Sequence, residues 1–506
     1  MKNRYLGIEL GSTRIKAVAI GENCEPVASG DYTWCSDFKD GIWTYEISQV
    51  WNGLRTALNG INCRDLVRAV GISGMMHGYL AFDENWNLLV PFRTWQNTIT
   101  AEAADKLTAL FDFNIPQRWS IAHLYQAMLN GEEHVSKIAH ITTLAGYVHY
   151  MLTGVNAIGI GEASGMFPIN SQTNDYDEGM LQKFEELAKD MPWRVREVLP
   201  KVLVAGENAG TLTESGANLI DNMLAVGTPF APPEGDAGTG MVATNAVRVR
   251  TGNISAGTSI FSMVVLKKPL SKVYQEIDIV TTPAGDAVAM VHCNNCTNDM
   301  NKWVSVLNET LKLFGKEVTA NELYTKLYQH SLEGDADCGD VLTYNYMAGE
   351  GITHLDCGRP MVIRNPESNF TLANFLRSQL YATMATLRLG MDILDGENVK
   401  IDTLTGHGGL FKTPIVGQRY MAAACNVTIT CMEAAGEGGP YGMALLASFM
   451  ANKNGDSLSD YLDKYAFSNS KSVTISPDEN DLVGFNKYMQ RYKNGLAVEV
   501  CATENL

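Results

Sequence analysis

Residues 232–241 read Pro-Pro-Glu-Gly-Asp-Ala-Gly-Thr-Gly-Met, and one carboxylate, Asp236, stands there among Gly235, Gly238 and Gly240. A base that takes a proton from an alcohol must be open to a cleft and within hydrogen-bond reach of that proton. Flanking glycines permit such an approach, although an ordinary turn aspartate would have the same neighbours. Earlier in the chain, Ser-Gly-Met-Met-His-Gly (73–78) sets His77 between Met76 and Gly78, directly after an apolar run. In α/β proteins the end of such a strand is where ligands gather. An imidazole there either bonds a sugar hydroxyl or serves the structure. Arg-Thr-Trp-Gln-Asn (93–97) adds an aromatic platform, Trp95, and the amide of Asn97.

Two further stretches have the composition of anion-binding turns. In "GIELGSTRIK" (7–16), Gly11 allows a tight turn, Ser12 and Thr13 supply donors, and Lys16 faces a phosphate or carboxylate from the outgoing strand. A nest of N–H groups suits a negatively charged oxygen. Glu9, on the incoming strand, is a hard oxygen donor for a divalent cation, directly or through water. A surface glutamate beside a plain hairpin is the other reading. "SAGTS" (255–259) repeats the arrangement with Gly257, Thr258 and Ser259. One small-residue tip in each half of the chain is better explained by a polyphosphate than by two unrelated turns. A third cluster, "GHGGLFKTP" (406–414), carries Gly408 and Gly409, where a flat ring can lie against backbone.

Elements must hold these groups in place. "YLGIEL" (5–10), "IKAVAI" (15–20), "VASGDYTW" (27–34) and "RAVGISG" (68–74) are nearly continuous apolar runs, expected as strands buried on both faces. Helices are expected around 46–59 and 101–111. "RVRTGNISAGTSIFSMVVL" (248–266) repeats the strand–turn–strand plan, which puts a domain boundary near 245–250. Leu376, Leu380, Met384, Leu387, Met391 and Leu394 recur at helical spacing on one face, as do Trp303, Leu307, Leu311 and Phe314. The stretch 150–170 reads as helical, and the tail beyond residue 467 is polar and without a clear period.

The 506 residues exceed one ordinary domain. Lys and Arg total 39 against 56 Asp and Glu, a net charge of −17, which disfavours nucleic acid and anionic membrane as partners. No apolar run approaches the ~20 residues of a membrane span. Ten irregularly scattered cysteines fit reduced thiols in a cytoplasm. Cys293 and Cys296 form the one close pair, and without a second ligand pair they read as a buried strand end rather than a zinc site.

Taken in order, these stretches resemble the FGGY family of carbohydrate kinases along nearly the whole chain. "LGIELGSTRIKA" resembles its first phosphate motif, "GISGMMHG" with "FRTWQN" its sugar region, and "GDAGTG" its catalytic stretch. "ISAGTS" resembles the second phosphate motif, and "GHGGLFKTPIVGQ" with "GEGGPYGMALLA" (436–447) the adenosine motif. Met76-His77-Gly78 is most like the xylulokinase members. The resemblance implies an α/β protein of two ribonuclease-H-like, actin-like ATPase domains, residues 1–247 and 248–506, with a cleft between them. It implies ATP and Mg²⁺, with phosphoryl transfer to a hydroxyl of a ketose such as xylulose. Asp236 would be the general base. Met76, His77, Gly78, Trp95, Asn97 and Asp236 would contact sugar. Gly11, Ser12, Thr13, Lys16, Gly257, Thr258, Ser259, Gly408 and Gly409 would bind ATP, and Glu9 and Asp236 the metal. The partner is then a small sugar, and a homodimer is compatible with it.

The chain departs from the family pattern in three places. Glu9 stands where the family has Asp, and its longer arm would shift the metal or add a bridging water. Gln96 and Asn97 follow Trp95 where an Asp and an Arg are common. The adenosine motif carries His407 and is about two residues longer before Pro414. The alternatives are a non-catalytic sugar-responsive protein on the same fold, or an ATPase module without a sugar.

Overall fold

A computed structural model describes residues 3–62, 64–432 and 438–506. The chain forms two compact units. The first comprises Met1–Val249, Lys272–Val288 and Ala434–Ser470; the second comprises Arg250–Ser271, Ala289–Glu433 and Lys471–Leu506. Two segments that follow residue 248 thus pack into the first unit. No helix among the described residues is long and apolar enough to cross a membrane.

The first unit is organised by a five-stranded sheet. Strand Arg4–Leu10 lies at its centre, antiparallel to Arg14–Ile20 and parallel to Val67–Gly74. Pro26–Thr33 closes one edge and the short Glu234–Gly235 the other. Alternation sorts the central strand's side chains. Leu6, Ile8 and Leu10 enter a core cluster with Val50 and Leu54 of helix Gln49–Asn59. Gly7 and Glu9 fall on the opposite face, against helix Gly439–Asn452. There the strand gives up its side chain. A Cβ on Gly7 would lie 2.0 Å from the Pro440 carbonyl oxygen, so helix and strand touch backbone to backbone. The expectation of strands buried on both faces holds for Arg4–Leu10 and Val67–Gly74. It fails for Pro26–Thr33, which alternates between exposed and half-buried because it is an edge strand.

In the second unit, Thr251–Ala256 and Ile260–Val265 form the antiparallel hairpin, and Thr403–His407 and Thr428–Met432 continue the sheet in parallel. A hairpin followed by two parallel neighbours on its first strand is the plan of both sheets. The apolar stripe at 376–394 lies in helix Leu372–Gly396, where Leu376, Leu380, Met384 and Leu387 are all fully buried. In helix Asn298–Leu313, Met300 and Val304 are buried and Trp303, Leu307 and Leu311 half-buried, whereas Phe314, just past its end, is 78 % exposed. The polar tail forms a further long helix, Glu479–Asn505. Its Asp481, wholly buried, pairs with Arg377 at 2.6 Å and also with Arg419. The stretch 150–170 is only partly helical: it holds the end of helix Leu144–Thr153, the strand Ala157–Gly159 and the four-residue helix Ile160–Ala163.

Candidate active site

Three parallel strands of the first unit end in one row. Glu9, Ser73 and Glu234 are register partners, and one step further Leu10, Gly74 and Gly235 are. The residues that follow therefore emerge together at the C-terminal rim: the turn Gly11–Thr13, then Met75–Gly78, then Asp236. Asp236 opens helix Asp236–Ala243, so its carboxylate sits where the first N–H groups of a helix point. The Met76 N–H donates to its Oδ1 at 3.1 Å. Burial raises its pKa against these donors, which makes it a stronger base. The residue remains partly exposed.

Glu9 shares this rim. Its carboxylate occupies space left by two glycines: a Cβ on Gly439 would lie 1.7 Å from Oε2, and one on Gly11 3.0 Å from Oε1. Burial, then the nearby Asp236, push its pKa up to about 7, while Lys16, its register partner across the hairpin, pulls it down. An acid close enough to Asp236 to have its own pKa raised by it is a second oxygen donor that a cation could use. Among the described residues no group of three or more His, Cys, Asp or Glu is arranged to hold a metal. Mg²⁺ does not need one, because it keeps several waters and takes one or two carboxylates plus substrate phosphates.

The carbonyls of the first turn are turned inward. Trp34 Nε1 donates to Gly11 O at 2.7 Å, Tyr45 Oη to Ser12 O at 2.7 Å, and the Trp34 N–H to Thr13 O at 3.2 Å. With its acceptors occupied and the Gly11 N–H spent on Arg14 O at 2.9 Å, the turn has the N–H and hydroxyl groups of Ser12 and Thr13 to offer, which fits an anion. The second turn is built alike. Gly257 O accepts the Thr297 N–H at 3.1 Å and its hydroxyl at 2.6 Å, and Thr258 O accepts the Cys296 N–H at 3.0 Å. Space is open where a Gly257 side chain would stand. In the same unit Gly408, with φ of +99°, brings the chain after Thr403–His407 against Ala256, whose oxygen lies 2.4 Å from where its Cβ would be. Gly409 beside it is nearly unobstructed.

The residues expected at the sugar lie in the first unit. His77 has φ of +73°, is 5 % exposed, contacts Gly165 O through Nδ1 at 3.2 Å and stacks on Trp119. Gly78, at φ +93°, is pinned by Ser120 Oγ, which donates to its carbonyl at 2.6 Å. Trp95 is 38 % exposed and its Nε1 donates to Ser12 Oγ at 3.4 Å, which ties the loop 93–97 to the turn Gly11–Thr13. Asn97 is buried, and its amide exchanges two 2.8 Å bonds with the Trp43 backbone. It holds the loop in shape. Gly436 and Glu437 of the expected adenosine motif lie outside the described residues.

Several groups here carried no sequence signal of their own. Trp34 and Tyr45 act on the first turn from afar in the chain. Glu234 accepts the Glu162 N–H at 2.9 Å and that of Gly161 at 3.4 Å, and burial pushes its pKa up to about 8. Glu234 lies two residues before Asp236, in the short strand Glu234–Gly235. Cys293 ends strand Ala287–Cys293, and both it and Cys296 are buried free thiols.

The model of the FGGY family of carbohydrate kinases, N-terminal domain, matches residues 4–243, and that of the C-terminal domain matches residues 252–451. A xylulose kinase of Haemophilus influenzae is 23 % identical over 462 residues, covering 86 % of this chain and 89 % of that protein. Among solved structures, a xyloylose kinase from Brucella ovis superposes with a TM-score of 0.80 at 19 % identity, over 97 % of this chain and 98 % of that one. A gluconate kinase from Lactobacillus acidophilus does so with 0.81 at 16 %, over 98 % of each. The fold these structures share is the two-domain actin-like ATPase fold.

Proposed function

The chain belongs to the FGGY family of carbohydrate kinases, an ATP-dependent sugar kinase, and from that premise we propose that it phosphorylates an uncharged ketose, with Asp236 as the general base. The observation that carries the assignment is the placement of Asp236: first residue of a helix, on the rim shared with Glu9, its Oδ1 fixed by the Met76 N–H. The carboxylate would accept a hydroxyl proton as the hydroxyl becomes a nucleophile. Burial raises its proton affinity without a second acid having to be neutralised first.

Phosphoryl transfer depends on alignment and charge neutralisation more than on covalent chemistry. Gly11, Ser12, Thr13 and Lys16 in the first unit, and Gly257, Thr258 and Ser259 in the second, are the phosphate-contacting groups; Gly408 and Gly409 are the adenosine-contacting ones. Their inward-turned carbonyls support this, since a phosphate is repelled by acceptors. Glu9 and Asp236 would hold Mg²⁺, which when bound offsets charge on the phosphate oxygens.

Met76, His77, Gly78 and Trp95 face the sugar, and Asn97 supports them through Trp43. An uncharged substrate is favoured because cations of this region are already paired: Arg93 with Glu132, Arg118 with Asp278. A sugar acid would have to displace one of these carboxylates. An ADP-release screen of pentuloses, hexuloses, polyols, aldoses and aldonates tests this. Turnover with a ketopentose is expected; a preference for aldonates, or ADP release indifferent to every sugar, would reject it.

A further inference from the structure

The second turn is braced by a layer of buried polar residues that the proposed function does not use. Its two carbonyls rest on Cys296 and Thr297. Of the four residues between strand Ala287–Cys293 and helix Asn298–Leu313, Thr297 is tied to the helix, its carbonyl accepting the Asn301 N–H at 2.9 Å. The path of the other three is fixed by the segment 345–350. The Glu350 carboxylate accepts the N–H of Asn294 at 3.3 Å, the N–H of Asn295 at 3.1 Å and the Asn295 side-chain amide at 3.1 Å. Asn295 Oδ1 accepts the N–H groups of Met347 and Ala348 at 2.9 and 3.0 Å. Asn294 Nδ2 donates to Gly349 O at 2.8 Å, and Asn345 Nδ2 to Cys296 O at 2.8 Å. Asn295, Asn345 and Glu350 are each 1 % exposed.

Burying three such side chains is costly unless each is paired and the pairing fixes something. Here what is fixed is the backbone that carries the turn. We propose that Glu350 and Asn295 are positioning residues for ATP, holding the turn Gly257–Ser259 through Cys296 and Thr297 so that its N–H groups point at phosphate. Neither touches the nucleotide. The inference rests on the assignment of that turn to phosphate.

The test is a set of three variants of the full chain, read by nucleotide binding without sugar and by the separate KM values for ATP and sugar. Glu350→Gln keeps the shape but faces an N–H₂ group toward donors, and it removes charge-assisted bonds. About a tenfold rise in the ATP dissociation constant and in KM for ATP is expected, with KM for sugar within about twofold. Asn294→Ala, which removes one exposed bond, should give a weaker shift in the same direction, and it serves if Glu350→Gln does not fold. Gly257→Val projects into open space and tests the turn itself. Loss of ATP affinity in all three supports the proposal. Unchanged ATP affinity in folded Glu350→Gln, or in Asn294→Ala where that variant stands in, overturns it. An unchanged Gly257→Val overturns the phosphate assignment, and the proposal with it. Equal rises in both KM values would mean a general loss of structure and also reject it.

Discussion

A carboxylate is a useful base only if something keeps it aimed and something keeps it from being fully solvated. At Asp236 the Met76 N–H does the first and burial the second. Asp236→Asn should therefore lower kcat by at least about 10³-fold, within the range for removal of a general base. Affinity for metal-free nucleotide should be unchanged, because the turns are untouched. Equilibrium binding alongside a coupled assay checks both halves. Glu350 allows a second prediction. Burial raises its pKa from 4.5 to about 7, so the folded state holds its proton more tightly than the unfolded chain. Stability from this group is full below pH 4.5 and is lost as pH rises through 7. The Glu350→Gln variant should flatten the wild-type slope between those values, by roughly 3 kcal/mol at most. Urea midpoints at pH 5 and pH 8 measure it. Asp236 was legible because its glycine neighbours are adjacent in sequence. Asn97 is ambiguous in sequence, since an amide near a tryptophan reads equally as a ligand contact or a loop brace until its partner, Trp43, is known. Glu350 and Asn295 were illegible for the same reason, since each acquires its meaning from residues some 55 positions away.

At the level of elements, both hairpins and the helix 101–111 could be read from apolar runs and small-residue turns, which are local signals. In helix Asn298–Leu313 the spacing marks the inward side, but not that Leu307 and Leu311 stay only half-buried, since neighbours decide that. The glycines of helix Gly439–Asn452 were equally opaque: they mark contact, not conformation. A Cβ on Gly442 would lie 2.0 Å from the Thr239 carbonyl oxygen, backbone that cannot move aside without shifting helix Asp236–Ala243. Gly442→Val should destabilise the protein by about 3 kcal/mol or more through overpacking. The displaced Asp236 should cost kcat as well. Chemical denaturation and turnover, measured together, would show the two losses moving in step. A stable, fully active variant would mean that the helix is not in contact where described.

On the scale of the whole molecule, sequence order and spatial order part company. The two halves were legible as one plan used twice. The return of Ala434–Ser470 to the first unit was not, because nothing in an apolar helix says which sheet it will cover. Helix Gly439–Asn452 lies on strands Arg4–Leu10 and Val67–Gly74, where Gly7 and Gly71 meet it. A chain ending at residue 432 should leave these strands without that helix and be cut rapidly in its first 249 residues by a protease that spares the full-length protein. Adding residues 438–470 as a separate peptide should slow that cutting.

The same covering helix bears on how the protein is made. A ribosome releases the central strand hundreds of residues before the helix that must lie on it. During all of that time the growing chain carries an unfinished sheet with a glycine-smoothed, water-exposed flank. The unit translated first is thus among the last to be completed, and its waiting surface is where nascent-chain aggregation or chaperone capture should concentrate.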